Sequence, residues 1–158
     1  MTPYTVRYAR YEDCGEILRM LRVMARLHAD WRPDMFKATS KHDLEGLHKL
    51  LADENYSLLI AEDKNHNTVG YAICRPREEK GHRLMQDSRW LHIEDLYADE
   101  SVRGQGMGKM LFDECLAIAR ELGLNRVELN VWACNDEAIA FYDRQGLTVQ
   151  KMTMEMGL

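Results

Sequence analysis

The chain has 158 residues, close to the ~150 residues of a typical single domain, and we treat residues 1–158 as one domain. Hydrophobic residues make up 46% and charged residues 30%, a balance that excludes wholesale disorder. The formal net charge of −5 argues against a general nucleic-acid-binding protein, which needs a basic face. No apolar run is long enough to cross a bilayer and the first residues lack an apolar signal region, so we predict a cytoplasmic protein with no membrane partner.

The cysteines and histidines show no pattern typical of a metal site. The four cysteines are far apart and include no C-x-x-C pair, a usage typical of small buried hydrophobes in a reducing compartment. The six histidines include no H-E-x-x-H motif and no pair four residues apart. We therefore predict that the protein uses no metal, and that it buries Cys14, Cys74, Cys115 and Cys134.

The first half of the chain predicts a strand, two helices and a hairpin. Ile17, Leu21, Met24 and His28 follow helical spacing and indicate the buried stripe of the first helix, which Pro33 ends. The hairpin is indicated by two strand-like runs joined by an asparagine-containing turn. The predicted elements are a strand Thr5 to Tyr8, a helix from Glu12 to about Trp31, a helix starting near Ser40 and Asp43, and strands Tyr56 to Glu62 and Thr68 to Arg75.

The second half alternates strands and helices. Gly123 is placed to end one helix, and Asn135 to cap the start of the next. The predicted elements are a charged loop Pro76 to Ser88, a strand Trp90 to Ala98, a glycine-rich segment Arg103 to Gly108, a helix to about Leu122, a strand Arg126 to Trp132, a helix from Asn135 to near Gly146 and a strand Leu147 to Met156.

This element order, β-α-α-β-β-β-α-β-α-β, predicts an α/β fold. The hairpin strands are antiparallel, whereas a strand–helix–strand crossover implies a parallel pair. We therefore expect a mixed sheet with helices on both faces.

Methionines alternate along the last predicted strand, at Met152, Met154 and Met156. Alternation of this kind is typical of a strand with one buried face. The buried face belongs either to the protein's own core or to the contact with a second copy, and the second reading predicts a homodimer.

Three glycines lie in Arg103 to Lys109, between a predicted strand and a predicted helix. Glycines let a backbone approach a ligand closely, and a helix start offers free N–H groups, so the segment predicts an anion site suited to a pyrophosphate. The spacing fits neither a Walker loop nor the G-x-G-x-x-G dinucleotide motif. The alternatives are a connector without a ligand and a generic nucleotide-binding protein.

The same segment resembles a known family. Residues 96–108, ending in Arg103-Gly104-Gln105-Gly106-Met107-Gly108, are similar to the R/Q-x-x-G-x-G/A acyl-CoA signature of the GNAT N-acetyltransferases. A second signature of that family, N-x-x-A-x-x-F-Y-x-x-x-G, is matched by Asn135, Ala138, Phe141, Tyr142 and Gly146. Glu100 departs from the family, in which proline is common at that position. The resemblance implies a GNAT-like, mostly antiparallel sheet with a central, splayed parallel pair.

The resemblance also implies acetyl-CoA as cosubstrate. Its pantetheine arm is expected in the gap between the splayed strands, and its pyrophosphate over the glycine-rich segment. The cofactor-binding residues that this implies are Leu96, Tyr97, Ala98, Arg103, Gly104, Gln105, Gly106, Met107, Gly108, Lys109, Asn135 and Ala138.

Two residues are candidates for proton transfer. The match to F-Y makes Tyr142 the general acid that protonates the departing thiolate; on spacing alone it is a core aromatic. Glu94 is the candidate base, because Glu94-Asp95 resembles a stretch of the polyamine-type acetyltransferases. Since neighbouring strand residues face opposite sides, we expect only one of these two carboxylates to face the site. The alternative for Glu94 is an exposed or salt-bridged carboxylate.

The residues therefore predict an enzyme that moves an acetyl group from acetyl-CoA directly to a primary amine, with a small amine or polyamine as the first choice of acceptor. A protein N-terminus or lysine is the second choice. A noncatalytic module that senses acyl-CoA is the competing class, and retention of both Glu94 and Tyr142 argues against it.

Overall fold

A five-stranded sheet organises residues 2–158, the part of the chain that the computed structural model describes. Its strands are β1 (Thr5–Tyr8), β2 (Ser57–Glu62), β3 (Thr68–Glu79), β4 (Ser88–Ala98) and β5 (Val127–Leu129). They lie in the order β1-β2-β3-β4-β5, antiparallel from β1 to β4 and parallel between β4 and β5. The predicted mixed, mostly antiparallel sheet is confirmed.

Four helices cover the two faces of this sheet. They are α1 (Cys14–Trp31), α2 (Leu44–Ala52), α3 (Met107–Glu121) and α4 (Asp136–Arg144). On the face that we call the α1 face, Ile17 and Leu47 pack in one core cluster with Tyr71 of β3. On the opposite α3 face, Leu111 and Phe112 pack in a second cluster with strand residues of β2 to β4, and α4 packs at its margin. Helices on both faces, as predicted, close the two cores.

The helices begin and end where the local sequence indicates. The Asp43 carboxylate caps α2 by accepting a hydrogen bond from the Gly46 amide at 2.7 Å. Asn135 caps α4, with its Oδ1 accepting from the Ala138 amide at 3.2 Å. Gly123 follows α3 with φ of +67°, a conformation that glycine adopts without strain.

Several predicted boundaries shift. The hairpin of β2 and β3 is confirmed, but β3 runs on to Glu79, so the charged loop is confined to residues 80–87. β5 is three residues long, shorter than the predicted Arg126 to Trp132. Cys134 is exposed, so its predicted burial is wrong, whereas the other three cysteines are buried.

The predicted strand Leu147 to Met156 is wrong. Residues 147–158 contain no strand, and Met152, Met154 and Met156 are 77%, 90% and 82% exposed, so they are not part of the core of this chain. A strand needs a neighbour with which to form a ladder, and the short β5 offers little of one. Side chains hold the segment instead: Gln150 donates to Glu128 at 3.2 Å, and Glu155 pairs with Arg32. A homodimer that covers these methionines stays a prediction.

None of the helices found in residues 2–158 combines the length and the apolar character that crossing a membrane demands.

Gly70 lets the glycine-rich segment pack tightly against the sheet, and this close approach generates a stability prediction. A Cβ at Gly70 would lie 2.5 Å from Cε of Met107 and 2.8 Å from the carbonyl oxygen of Tyr97. One of these two close contacts is with a backbone atom, which cannot move aside as a side chain can. Gly70→Ala is therefore expected to destabilise the fold by about 1–3 kcal/mol, measured by urea denaturation.

Gly15→Ala in α1 is the matched control. Nothing lies within 4 Å of its added Cβ, so the same substitution is expected to be neutral or stabilising there, by up to about 1 kcal/mol. Equal unfolding midpoints for the two variants would contradict the packing argument.

Candidate active site

The pairing of β5 with β4 stops before β4 ends. Ile93 and Leu129 are the last paired residues, whereas β4 continues beside β3 as far as Ala98. Within the described part of the chain, the edge of β4 that faces away from β3 therefore has no strand neighbour from Glu94 onward. A cleft of about 490 Å³ lies along this end of β4.

The cleft is bordered by β4, the glycine-rich segment, α3, α4 and α1. It brings together most of the residues that the sequence analysis selected. Those that line it are Leu96, Tyr97, Ala98, Arg103, Gly104, Gly106, Gly108, Lys109, Asn135, Ala138 and Tyr142. The side chains of Gln105, Met107 and Glu94 lie outside this lining.

The glycine-rich segment gives one end of the cleft an anion-binding character. Gly104 and Gly106 have φ of +74° and +86°, and no atom lies within 4 Å of a Cβ built at either position. Gly106 is the N-cap of α3 and offers no side chain to the first amides of the helix. Those N–H groups and the positive end of the helix dipole suit a negatively charged group. Lys109 adds a cation there, paired with Asp113 one turn later.

Gln105 and Met107 anchor this segment instead of lining the cleft. The Gln105 amide accepts a hydrogen bond from the Tyr4 hydroxyl at 2.5 Å and donates to the carbonyl of Ser101 at 3.1 Å. Met107 is fully buried in the α3-face core. A cofactor contact by the backbone of either residue stays a prediction.

Arg103 ties the end of β4 to α4. Its Nε donates to the carbonyl oxygen of Ala98 at 3.1 Å, and its Nη1 lies 3.3 Å from a carboxylate oxygen of Glu137. Its guanidinium also lies over the ring of Tyr97, 5.9 Å from the centroid. These three contacts fix the wall of the cleft between β4 and α4.

Tyr142 lies at the opposite wall from α1, on α4. Its ring packs near Phe112 and Phe141, with centroids 6.3 Å and 5.2 Å away. Burial raises the pKa of Tyr142, and Cys115 and, to a smaller extent, Asp95 add to the increase. The phenol therefore keeps its proton at neutral pH, while its position on the cleft lining leaves it within reach of a ligand.

A β-bulge changes which way the two acidic residues of β4 point. Asp95 pairs with Ile73, but Ile93 pairs with Cys74, so Glu94 is the extra residue of β4. Asp95 pairs with Ile73 of the α1-face cluster, and Glu94 bonds to Arg75, whose guanidinium lies over the ring of Tyr56 at the margin of that cluster, so both carboxylates lie on the α1 face. The bulge breaks the alternation on which the sequence-based expectation relied. Neither carboxylate is among the residues that line the cleft, so a role for one of them in the site stays a prediction.

The two carboxylates differ in environment. Glu94 accepts hydrogen bonds from Arg75 at 2.8 Å and Arg77 at 3.2 Å; burial favours its neutral form, but these bonds outweigh burial and lower the pKa of Glu94. Asp95 is buried, with a side chain only 7% exposed, and burial raises its pKa although Lys41 lies 2.6 Å away. Glu94 is thus a salt-bridged carboxylate with a lowered pKa, whereas Asp95 is a buried carboxylate with a raised pKa.

Helix α1 contributes one wall of the cleft. Met24, Leu27, His28 and Trp31 line the cleft. The His28 ring lies 5.5 Å from the ring of Trp31 and 5.1 Å from that of Phe36, and burial lowers the pKa of His28. The helical spacing of Met24 and His28 is the same as that of the core residues Ile17 and Leu21, so periodicity alone does not separate the cleft from the core.

Across residues 2–158, no group of three or more His, Cys, Asp or Glu side chains is arranged to hold a metal ion.

Comparisons with known proteins define the class. The acetyltransferase (GNAT) family profile matches residues 21–147, most of the chain. The protein therefore belongs to the GNAT family, and it is an acetyl-CoA-dependent N-acetyltransferase.

The individual proteins that this chain resembles are distant from it in sequence. The thialysine N-epsilon-acetyltransferase of Sus scrofa is 26% identical over 157 residues, which cover 92% of this chain and 85% of that protein. The mycothiol acetyltransferase of Propionibacterium freudenreichii is 28% identical over 92 residues; they cover 58% of this chain and only 28% of that longer protein. Among solved structures, that of a variant of BH1408 from Bacillus halodurans has a TM-score of 0.93 and 26% identity, covering 98% of this chain and 99% of that chain.

Asn135 caps α4 and also lines the cleft, and a pair of substitutions separates these two roles. Asn135→Ala removes the cap and is expected to cost about 1 kcal/mol of stability. Asn135→Asp keeps a capping oxygen and the folding stability, but adds a negative charge beside the expected path of CoA. We therefore expect Asn135→Asp to weaken CoA binding about tenfold or more, measured by calorimetry, with an unchanged unfolding midpoint. Unchanged CoA affinity in Asn135→Asp would restrict Asn135 to the capping role.

Proposed function

We propose that this enzyme transfers the acetyl group of acetyl-CoA directly to a primary amine of a small molecule. The observation that carries the proposal is the continuity of one cleft, which runs from the glycine-rich segment, along Leu96–Ala98, to Tyr142. An anion site at one end and a proton donor at the other suit a cosubstrate that carries phosphates and a thioester at opposite ends.

The residues of this chain have separate tasks in that reaction. The amides of the glycine-rich segment and the start of α3 hold the phosphates, and the unpaired edge of β4 takes the amide-containing arm as an added strand. A backbone N–H near Tyr97 or Ala98 stabilises the negative charge that develops on the thioester oxygen. Holding both reactants in one cleft replaces a bimolecular encounter by a positioned one.

Tyr142 supplies the proton that the departing thiolate needs. Its raised pKa keeps the phenol protonated, and it is a half-buried side chain of α4 on the lining of the cleft. This supports the role that the resemblance implies.

The proton of the amine goes to a carboxylate, directly or through water, because alkylamines are mostly protonated near pH 7. We propose Glu94 for this task on the resemblance, with Asp95 as a second candidate. Asp95 is the second candidate because burial raises its pKa, whereas the two arginines bound to Glu94 lower the pKa of Glu94.

The acceptor that we propose is a small amine or polyamine. The rings of His28 and Trp31, which line the cleft, suit an alkylammonium ion, because aromatic faces attract cations. The thialysine acetyltransferase relative, whose name refers to an N-epsilon amine, supports the same class. A lysine or N-terminus of a protein is the alternative acceptor.

An amine panel tests the proposed activity. Purified protein with acetyl-CoA is expected to release free thiol in the presence of a polyamine or a lysine-like small amine, and more slowly with peptides. Tyr142→Phe is expected to lower turnover at least about tenfold while acetyl-CoA still binds. Binding without turnover on any amine would indicate a sensor, and competition by ATP or NAD would indicate a nucleotide-binding protein; either result would contradict the proposal.

The pH dependence of kcat/KM identifies the base. The rate rises with pH as the base loses its proton, so the acidic limb lies below the ordinary pKa of a glutamate if Glu94 is the base, because its pKa is lowered, and above the ordinary pKa of an aspartate if Asp95 is the base, because its pKa is raised. Removing the base abolishes that limb. We expect either Glu94→Gln or Asp95→Asn, but not both, to do so, and a wild-type profile in Glu94→Gln would assign the proton to Asp95.

A further inference from the structure

The backbone of the glycine-rich segment carries a run of N–H groups without backbone acceptors. Within residues 2–158, none of the amides of residues 104–109 donates a hydrogen bond to a backbone carbonyl. The amide of Met110 follows this run and donates to the carbonyl of Gly106 at 3.1 Å. Backbone N–H groups need acceptors, so the run suits the oxygens of a ligand that carries phosphates. It binds such a ligand well only if its shape is fixed beforehand.

The two glycines at the centre of this run do not fix its shape by themselves. Gly104 and Gly106 both have positive φ, and a Cβ at either position would meet no atom within 4 Å. Glycine populates many backbone conformations, so a loop that contains two of them loses much conformational freedom when it is ordered. A contact from outside the loop is therefore needed to hold it. Gln105, between the two glycines, makes such a contact.

The side chain of Gln105 connects the loop to the core. Its Oε1 accepts a hydrogen bond from the Tyr4 hydroxyl at 2.5 Å, and its Nε2 donates to the carbonyl of Ser101 at 3.1 Å. Tyr4 lies 101 residues away in the sequence, directly before β1, and it is only 7% exposed within the α3-face core. One bond is thus local, whereas the other joins the loop to a ring that core packing holds in place.

Other residues hold the two ends of the glycine-rich segment. Arg103 holds the start by donating to the carbonyl of Ala98, and Met107 holds the end because it is fully buried in the α3-face core. Neither contact involves Tyr4. Loss of the Tyr4 hydroxyl is therefore expected to loosen the middle of the segment and to leave both ends in place.

We propose that Tyr4 is a positioning residue for the phosphates of acetyl-CoA. Its hydroxyl holds Gln105, whose side chain lies outside the cleft lining, and this keeps the N–H groups of residues 104–109 in the arrangement that the phosphates need. Tyr4 does not line the cleft either, so it acts through Gln105. The inference rests on the proposed function, in which the glycine-rich segment holds the phosphates.

Removal of a single hydroxyl tests this proposal. Tyr4→Phe keeps the ring and its packing but not the bond to Gln105, so the ligand has to order the loop when it binds. We expect the affinity for CoA, measured by calorimetry on the full chain, to fall about three- to tenfold, the range for one hydrogen bond. Dephospho-CoA keeps the pyrophosphate and is expected to lose affinity by the same factor.

Gln105 provides a second variant, and Tyr11 provides the control. Gln105→Leu removes both hydrogen bonds of an exposed side chain and is expected to lower CoA affinity at least as much as Tyr4→Phe. In the double variant the Tyr4 hydroxyl has no partner left to lose, so the affinity is expected to equal that of Gln105→Leu. Tyr11→Phe changes a ring that is 67% exposed and stacks on His48, and it is expected to leave CoA affinity unchanged.

The possible results distinguish this inference from the proposed function. Equal CoA affinities for the wild type and Tyr4→Phe would overturn the role of Tyr4, and so would losses in the two single variants that add in the double variant. A lower unfolding midpoint in Tyr4→Phe, without a loss of CoA affinity in Gln105→Leu, would also overturn it. In each of these cases the proposed function stands if the protein still transfers acetyl groups to amines. A wild-type protein that binds neither CoA nor acetyl-CoA would overturn both.

Discussion

The separation of β4 from β5 is the constraint on which the site depends. β4 pairs with β3 over its whole length, but with β5 only as far as Ile93 and Leu129. Backbone N–H and C=O groups seek partners, so the unpaired edge of β4 beyond this point is a ready template for an extended, amide-containing ligand. The glycine-rich segment follows directly after β4, and Arg103 holds it against the carbonyl of Ala98. One interrupted pairing thus leaves an open cleft along the end of β4, with the glycine-rich start of α3 at one end of it.

Much of this arrangement was predictable from the sequence, because local chemistry determines it. Two helices are capped by the side chains of Asp43 and Asn135, and one helix is followed by Gly123 with a positive φ, all at the positions that the sequence indicates. The element order indicates the mixed sheet. The C-terminal segment shows the limit of such reasoning. Alternating methionines are typical of a strand with one buried face. A strand also needs a neighbouring strand with which to form hydrogen bonds, and the alternation does not supply one. A strand is a property of two segments, whereas a capped helix is largely a property of one.

The bulge at Glu94 is the second feature that periodicity does not reveal. One extra residue in β4 moves every later side chain to the other face, so Asp95 and Tyr97 lie on the α1 face although Leu91 and Ile93 face α3. The same limit applies to α1. Its apolar stripe is continuous, but the sheet ends beneath it, so Ile17 is core while His28 borders the cleft. Tertiary packing decides which part of an apolar stripe is covered. The sequence of the helix alone does not reveal which part that is.

The charges near the cleft explain why the overall net charge of −5 says little about the acceptor. Both carboxylates of β4 already have cationic partners within the chain: Glu94 has Arg75 and Arg77, and Asp95 has Lys41. These ion pairs cancel much of the negative charge of the two carboxylates on the α1 face of β4. The charge that a ligand meets near this strand is therefore set by local pairing within the chain and not by the sum over all residues.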